Sequence, residues 1–231
     1  MKPARSHDVA PAARSPRDGY RSLLKPLLAG LVAVLLAFAF AKLGGEVVEG
    51  DTRSFDLYFL HGAQALRAGH PWVASVMRDL SGLGSTTVLT LFTVICIGYL
   101  MLVSDRTAAF LVAAAVITGS TSVSIFKTVF GRLRPAPEFA ELVAPGLSFP
   151  SGHASNSAIV FLTLGALVAS SRGPMPERLY ILATAALMTA LVGVSRVALG
   201  VHWATDVLGG WAFGAAWALA WLLVARRVRG R

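Results

Sequence analysis

The chain has 231 residues, of which 55% are hydrophobic and only 14% are charged. A soluble globular domain carries about 25% charged residues, so this composition excludes an ordinary soluble domain and favours an integral membrane protein. The formal net charge of +9 is concentrated at the ends of apolar segments and in the two tails. That placement favours membrane orientation over a nucleic-acid-binding face, and no nucleic-acid partner is expected.

The N-terminal region consists of a polar stretch and then an apolar one. Residues 1–26 are polar and basic, and they predict a disordered cytoplasmic tail. The wholly apolar run from Leu27 to Ala41 predicts a first transmembrane helix near residues 24–43. A cleaved signal peptide is the alternative, because Ala37-Phe38-Ala39 resembles a cleavage site, although the basic tail is long and the apolar run exceeds the usual length.

Residues 46–81 are mixed in polarity, and two interpretations stay open. Phe55, Tyr58, Phe59 and Leu66 fall near one face if the segment is helical, which predicts an interfacial amphipathic helix. A simple outer loop is the other interpretation.

Five further runs of about 17–25 uncharged residues follow, each long enough to cross a bilayer as a helix. With the first segment they predict an all-α polytopic membrane protein whose six transmembrane helices form one bundle. The predicted helices lie near residues 24–43, 85–103, 107–126, 154–171, 179–195 and 207–225. The membrane domain therefore covers residues 27–225, and residues 226–231 form a basic cytoplasmic tail.

Basic residues predict the orientation of these helices. If the N-terminus is cytoplasmic, 13 Lys and Arg residues fall on the inner side of the membrane and 8 on the outer side. The positive-inside rule therefore places both termini in the cytoplasm. The inner (plasma) membrane is the expected location. Lys127, His153, Arg196 and Asp206 then all lie at outer helix ends, so a site built from them faces the periplasm or exterior.

The first of three polar clusters at these helix ends contains Lys127 and Arg134. Lysine offers a point charge and arginine a planar fork, and both suit phosphate oxygens. Basic residues at helix ends more often extend to lipid head groups, and Arg132 is expected to do so.

The second cluster, Pro150 to His153, precedes a predicted helix. Ser151 is a good N-cap, and Gly152 lets a ligand approach the backbone. Free amides at a helix start bind phosphate. His153 projects from the first turn, where a histidine serves either chemistry or structure.

The third cluster contains Arg196, His202 and Asp206. His202 and Asp206 are four residues apart and so lie on one helical face. The carboxylate can accept the Nδ1 proton and leave Nε2 free to attack, and Arg196 is placed to hold the same phosphate. In isolation, such a His–Asp pair could equally stabilise a helix start.

Together the clusters resemble, residue for residue, the three-part signature of the type 2 phosphatidic acid phosphatase superfamily. The three parts are Lys127 to Pro135, Pro150 to His153, and Ser195 to Asp206. The predicted six-helix pattern extends the resemblance to nearly the whole chain.

The resemblance implies a membrane lipid phosphatase that works through a phosphohistidine. It implies that His202 is the nucleophile, oriented by Asp206, and that His153 protonates the leaving oxygen and then activates water. The residues implied to cradle the phosphoryl group are Lys127, Arg134, Ser151, Gly152 and Arg196.

The resemblance also implies that no metal or other cofactor is needed, and the sequence has neither paired cysteines nor an HExxH motif. The expected partners are the bilayer and a phosphorylated lipid: undecaprenyl diphosphate, phosphatidylglycerol phosphate, phosphatidate or lipid A. The oligomeric state stays open. A lipid phosphotransferase using the same intermediate is one alternative, and a non-catalytic lipid-binding or transport protein is another.

Overall fold

The computed structural model describes residues 16–230, which form eight α-helices and one short 3₁₀-helix, with no strand in that range. This confirms the predicted all-α fold class. The helices are α1 (Pro16–Glu49), α2 (Arg53–Gly69), α3 (Trp72–Gly82), α4 (Thr86–Leu102), α5 (Arg106–Phe130), the 3₁₀-helix Pro137–Phe139, α6 (Gly152–Ser170), α7 (Met175–Ala198) and α8 (Ala204–Val228).

Six helical segments in this part of the chain are long and apolar enough to cross a membrane, which confirms the predicted number. They are Leu24–Glu49, Trp72–Leu102, Arg106–Phe130, Gly152–Ser170, Met175–Ala198 and Ala204–Val228.

The ends of the chain differ from the predicted boundaries. Residues 1–15, which make up most of the predicted disordered tail, lie outside the described residues. The chain is helical from Pro16, so α1 begins before the predicted boundary at residue 26. Helix α8 continues to Val228, into the predicted basic tail of residues 226–231.

The mixed segment at residues 46–81 is helical, so the loop interpretation is wrong. Helix α2 buries Asp56, Leu60 and Arg67, whereas aromatic side chains such as Tyr58 are exposed on its other face. The apolar face therefore points away from the protein, as lipid contact requires. The interfacial position of this helix stays a prediction.

Small residues bring the central helices close together. Helix α6 packs against α5, α7 and α8, and α1 packs along α8. A Cβ built on Gly214 of α8 would lie 2.5 Å from the Cβ of Ala158 and 2.7 Å from the carbonyl oxygen of Ser155, both on α6. Packing of this kind joins helices in lipid, where burial of apolar surface gives no driving force between them. It places the starts of α6 and α8 side by side.

An aromatic cluster fixes the loop that enters α6. Phe149 is fully buried and stacks on Phe40 of α1, with ring centroids 5.7 Å apart. Phe130 of α5 packs edge-on against the Phe149 ring, with ring centroids 4.9 Å apart. Phe213 of α8 packs on Phe40 with ring centroids 5.4 Å apart. The residues on either side of Phe149 are therefore held by three transmembrane helices.

Candidate active site

The three signature clusters meet at one end of the bundle, where α5 and α7 end and α6 and α8 begin. The backbone N–H of Ser151 donates to the carbonyl oxygen of Asp206 at 2.9 Å, which ties the start of α6 to the first turn of α8. Ser151 caps α6 as predicted, its hydroxyl accepting from the N–H of Ala154 at 3.5 Å.

His202 and Asp206 form a buried pair at the centre of this end. His202 Nδ1 lies 3.2 Å from Asp206 Oδ2, and the two residues are 1% and 0% exposed. Asp206 Oδ2 also accepts from the backbone N–H of Trp203 at 2.9 Å, so the start of α8 fixes the carboxylate. With Nδ1–H donating to Asp206, Nε2 carries the free lone pair.

Ser148 is a member of this pair's network that the sequence did not indicate. Its hydroxyl donates to Asp206 Oδ2 and lies 3.3 Å from His202 Nδ1, and the residue is fully buried. The fixed position of neighbouring Phe149 holds it there. A serine so far along the chain from His202 gives no signal in a single sequence, because serine is common in loops.

The expectation that Arg132 extends to lipid head groups is wrong. Its Nη1 donates to Asp206 Oδ1 at 2.8 Å, and its Nη2 lies 2.5 Å from Oδ2 of Asp56 on α2. Its side chain is only 12% exposed. Two fully buried carboxylates need a cation to offset their lost hydration, and one planar guanidinium can serve both.

Asp56 is a second residue that sequence reasoning missed. Its Oδ1 accepts from the backbone N–H of Thr205 at 2.9 Å, and Thr52 of the preceding turn donates to its Oδ2 at 3.1 Å. Arg132 joins Asp56 to Asp206, so α2 helps to hold the first turn of α8.

The guanidinium of Arg134 contacts the free ring nitrogen of His202. Its Nη1 is 3.0 Å from His202 Nε2 and 2.8 Å from the carbonyl oxygen of Val201. Its other nitrogens donate to the carbonyl oxygens of Gly146 and Pro145, at 3.0 and 3.1 Å. The loop therefore aims the guanidinium at the atom where a phosphoryl group would bind.

The side chain of Lys127, near the end of α5, lies beside the start of α6. Its Nζ donates to the carbonyl oxygens of Leu147 and Ser148 at 2.7 and 3.3 Å. Its Cε lies 3.6 Å from the position that a Cβ on Gly152 would take. The ammonium group and the free amides of α6 therefore adjoin one another, as a shared anion site requires.

Arg196 has an unused donor. Arg196 is only 4% exposed, and its Nη1 donates to the hydroxyl of Ser81 on α3. Its Nε is buried and has no hydrogen-bond partner in residues 16–230. A buried unpaired donor is costly, so this nitrogen favours a ligand oxygen.

His153 lies in the first turn of α6 and is half-buried. Its side chain makes no hydrogen bond with the described residues. Its Cδ2 lies 3.4 Å from the position that a Cβ on Gly84 would occupy, so the turn between α3 and α4 borders the ring. Both ring nitrogens are therefore available for proton transfer.

The site's charges favour neutral His202 and an anionic ligand. Burial, together with the positive charges of Arg134 and Arg196, lowers the pKa of His202 to about 4, against the opposing hydrogen bond and charge of Asp206. The ring is therefore unprotonated at neutral pH. Burial also lowers the pKa of Arg134, but an arginine stays cationic at neutral pH.

The site offers cations rather than metal ligands. In the described part of the chain, no group of three or more His, Cys, Asp or Glu side chains is arranged to hold a metal ion. Lys127, Arg134 and Arg196 contribute positive charge at this end of the bundle instead.

Comparisons with known proteins agree with this chemistry. Residues 107–229 match the family model of the PAP2 superfamily. The chain is 35% identical to phosphatidylglycerophosphatase B of Bacillus subtilis (strain 168) over 186 residues, which cover 78% of this chain and 88% of that protein. The chain belongs to the PAP2 superfamily.

Two further similarities cover most of the chain. Decaprenylphosphoryl-5-phosphoribose phosphatase of Mycolicibacterium smegmatis is 31% identical over 151 residues, covering 64% of this chain and 76% of that protein. The crystal structure of a transmembrane PAP2-type phosphatidylglycerolphosphate phosphatase from Bacillus subtilis superposes with a TM-score of 0.75 at 27% identity, covering 86% of this chain and 97% of that one. The resemblance seen in the signature is confirmed: the chain is a multi-pass lipid phosphatase of this superfamily, a hydrolase of phosphate esters.

Proposed function

We propose that this PAP2 protein releases phosphate from a lipid phosphate monoester or diphosphate through a phosphohistidine on His202. The observation that carries the proposal is the His202 environment. Asp206 holds Nδ1, Arg134 lies 3.0 Å from Nε2, and the ring is neutral at physiological pH. A neutral, oriented imidazole among fixed cations is what attack on phosphorus needs.

The proposed reaction has two steps. In the first, Arg134 moves from Nε2 to a phosphoryl oxygen, and Nε2 forms a bond to phosphorus while the bond to the lipid oxygen breaks. His153 gives its proton to that oxygen. In the second, His153 takes a proton from water, the oxygen attacks phosphorus, and the P–Nε2 bond breaks to release inorganic phosphate. Asp206 stabilises the positive imidazole ring throughout.

The cations support both steps by balancing charge on the non-reacting oxygens. Lys127, Arg134 and the unpartnered Nε of Arg196 would hold the phosphoryl group together with the amides at Ser151 and Gly152. Since these cations already neutralise the phosphate, the proposed reaction needs no metal. Saturating EDTA is expected to leave the rate within about two-fold, and vanadate, which adopts the geometry of the transferring phosphoryl group, is expected to inhibit.

The substrate class follows from the position of the site and from the relatives. The site lies at one end of a membrane bundle and is bordered by α2, whose opposite face is apolar and exposed. This position suits a lipid with a polar head and a tail in the bilayer. Both curated relatives are named for lipid-linked phosphates. We favour phosphatidylglycerol phosphate, with phosphatidate and undecaprenyl diphosphate as the other candidates. We place the site on the periplasmic or exterior face of the plasma membrane, with both termini cytoplasmic.

The decisive experiment measures phosphate release by purified protein in detergent on a panel of these three lipids. The parent should turn over at least one of them, and His202→Ala should lose more than about 10⁴-fold in kcat. Asp206→Asn should lose about 10²–10⁴-fold, because it chiefly upsets the tautomer and orientation of the ring.

Ser124→Ala, an exposed hydroxyl on α5, is the matched control and should keep the parent rate. Rapid quenching with a ³²P-labelled lipid should trap acid-labile label on the parent and none on His202→Ala. Near-parental activity in His202→Ala would refute the mechanism. Label that passes to an added alcohol instead of water would identify a phosphotransferase.

A further inference from the structure

A cavity of about 740 Å³ lies at the end of the bundle opposite the candidate active site. It is bounded by residues of α1, α5, α6, α7 and α8. Along α8, about 33 Å separates Arg226 beside the cavity from Ala204 beside the active site. The cavity is therefore no part of the phosphate-binding centre. Its volume is typical of sites for small organic ligands.

Basic side chains line this cavity at its end nearest the helix termini. Of these, Arg229 is paired with Asp105 at 2.8 Å. Arg178, Arg226 and Arg227 form no ion pair among residues 24–230, whose side chains the structure describes. The basic lining residues are Lys25, Arg178, Arg226, Arg227 and Arg229.

The deeper walls of the cavity are apolar, with one polar exception. Leu111 of α5, Leu182 of α7 and Leu222 of α8 contribute to these walls. Thr163 of α6 also lines the cavity, and its hydroxyl is buried without a hydrogen-bond partner in the described residues. Thr163 is seven residues from the end of α6 at Ser170, so it lies about 10 Å deeper than the basic rim.

We propose that this cavity binds an anionic phospholipid. Its phosphodiester would lie among the arginines, its glycerol oxygens would reach toward Thr163, and one acyl chain would follow the apolar walls. Unpaired arginines at the end of a cavity with apolar walls are complementary to a molecule with a negative head and a hydrocarbon tail. An anionic phospholipid such as phosphatidylglycerol carries this phosphodiester but lacks the terminal phosphate monoester that the proposed reaction removes, so it would bind here as a ligand and not as a substrate.

The rival explanation for these arginines is general orientation in the membrane. Positive residues collect on one side of membrane proteins whether or not they bind a lipid. That explanation gives equal weight to every basic residue at this end, including exposed Arg106 and Arg172, which do not line the cavity. A specific lipid site gives weight only to the residues that line it.

The test is lipid retention measured by native mass spectrometry. The protein is released from bilayers of equal phosphatidylglycerol and phosphatidylcholine, in the His202→Ala background so that no turnover occurs. The His202→Ala protein without further substitutions should retain at least ten times as much phosphatidylglycerol as phosphatidylcholine. Arg226→Gln/Arg227→Gln should lower that ratio at least five-fold, whereas the control Arg106→Gln/Arg172→Gln should stay within two-fold.

A second variant tests the apolar part with all charges in place. Ala166 lines the cavity on α6, so the Ala166→Trp side chain would fill part of the cavity. This variant should lower phosphatidylglycerol retention at least five-fold. It tests the proposal independently, even where the arginine variant does not fold. Millimolar glycerol 3-phosphate or inorganic phosphate should not displace the bound lipid. Displacement would show a site for free anions only. Equal loss in the two double variants, or no preference between the lipids, would overturn the proposal and leave the phosphatase function untouched.

Discussion

Several of the candidate site's hydrogen bonds converge on the carboxylate of Asp206. Its Oδ2 accepts from the Trp203 N–H and the Ser148 hydroxyl and lies beside His202 Nδ1. Its Oδ1 accepts from Arg132. Each oxygen is thus held from a different direction, so the carboxylate cannot rotate away from the ring. The orientation of the His202 ring therefore depends on Ser148, Trp203 and Arg132 as well as on Asp206 itself.

The first prediction concerns Arg132 as a positioning residue. Arg132→Gln should lower kcat about 10²-fold with little change in KM, because Arg132 orients Asp206 and does not contact the phosphoryl group. Arg132→Lys should recover part of the rate, since it restores the charge without the fork. The measurement is the kcat and KM of each variant on the same lipid.

Removing Arg132 also leaves the buried carboxylate of Asp56 without its cation, which costs about 3–5 kcal/mol in comparable buried pairs. Asp56→Asn in the Arg132→Gln background should therefore recover thermal stability but not kcat. Recovery of both together would mean that Arg132 acts only through the fold.

The second prediction is the acid limb of the pH profile. The pKa of His202 is lowered to about 4, so its neutral form, which can attack, persists down to that pH. The limb that His202 contributes to kcat/KM should therefore lie near pH 4 and not near the ordinary histidine value of about 6.5.

Arg134→Gln supplies the control, because the charge of Arg134 lowers the pKa of His202. Its removal should move this limb to higher pH. Ionisation of the substrate phosphate, with a pKa near about 6, affects both proteins equally and cancels in the comparison. An unmoved limb would assign it to another group.

Sequence reasoning reached the residues with fixed spacing and missed those brought together by the fold. The i, i+4 relation of His202 and Asp206 is local, and it predicts their pairing. The two residues do not share a helical face as predicted, because His202 precedes the start of α8 at Ala204. Arg132 carries the same local signal as any basic residue at a helix end. Its buried role depends on Asp56, in a distant helix, and no spacing rule connects the two.

At the scale of elements, uncharged runs predicted the six spans but not where the second begins. Helix α3 carries Arg78 and Asp79, and these charges set the N-terminal limit of the predicted uncharged run. In the structure the apolar helical segment nevertheless begins earlier, at Trp72. The turn at residues 83–85 between α3 and α4 ends with Ser85, whose hydroxyl accepts from the N–H of Val88 at 3.3 Å and starts α4. Charges near the end of a bundle can stay exposed, so they do not bound a helix.

The third prediction tests the close contact of α6 with α8. Gly214→Ala should lower the melting temperature in detergent by about 2–10 °C, because the new Cβ meets Ala158 and the backbone of Ser155. Gly98→Ala is the matched control: it lies within α4 and has nothing within 4 Å of its Cβ position. It should leave the melting temperature unchanged or raise it slightly, since alanine favours the helix. Equal shifts in both variants would contradict the packing.

For the whole molecule, the fold separates two basic regions at opposite ends of the bundle. At one end Lys127, Arg134 and Arg196 lie around His202, the proposed nucleophile. At the other, Arg226 and Arg227 border an amphiphilic cavity. The asymmetry of 13 against 8 basic residues predicts which end is cytoplasmic, and it understates the bias, because three of the eight outer cations belong to the proposed phosphate site.

The last prediction is therefore the orientation in the membrane. In a Cys96→Ala background, which removes the chain's single cysteine, Glu138→Cys is exposed at the active-site end and Gly173→Cys at the other. An impermeant maleimide should label Glu138→Cys in intact cells and Gly173→Cys only after permeabilisation. Both variants should keep phosphatase activity, since neither residue contacts the site. The reverse labelling pattern would place the phosphate site in the cytoplasm, where it would meet lipids of the inner leaflet, and would leave the fold and the chemistry of His202 as they stand.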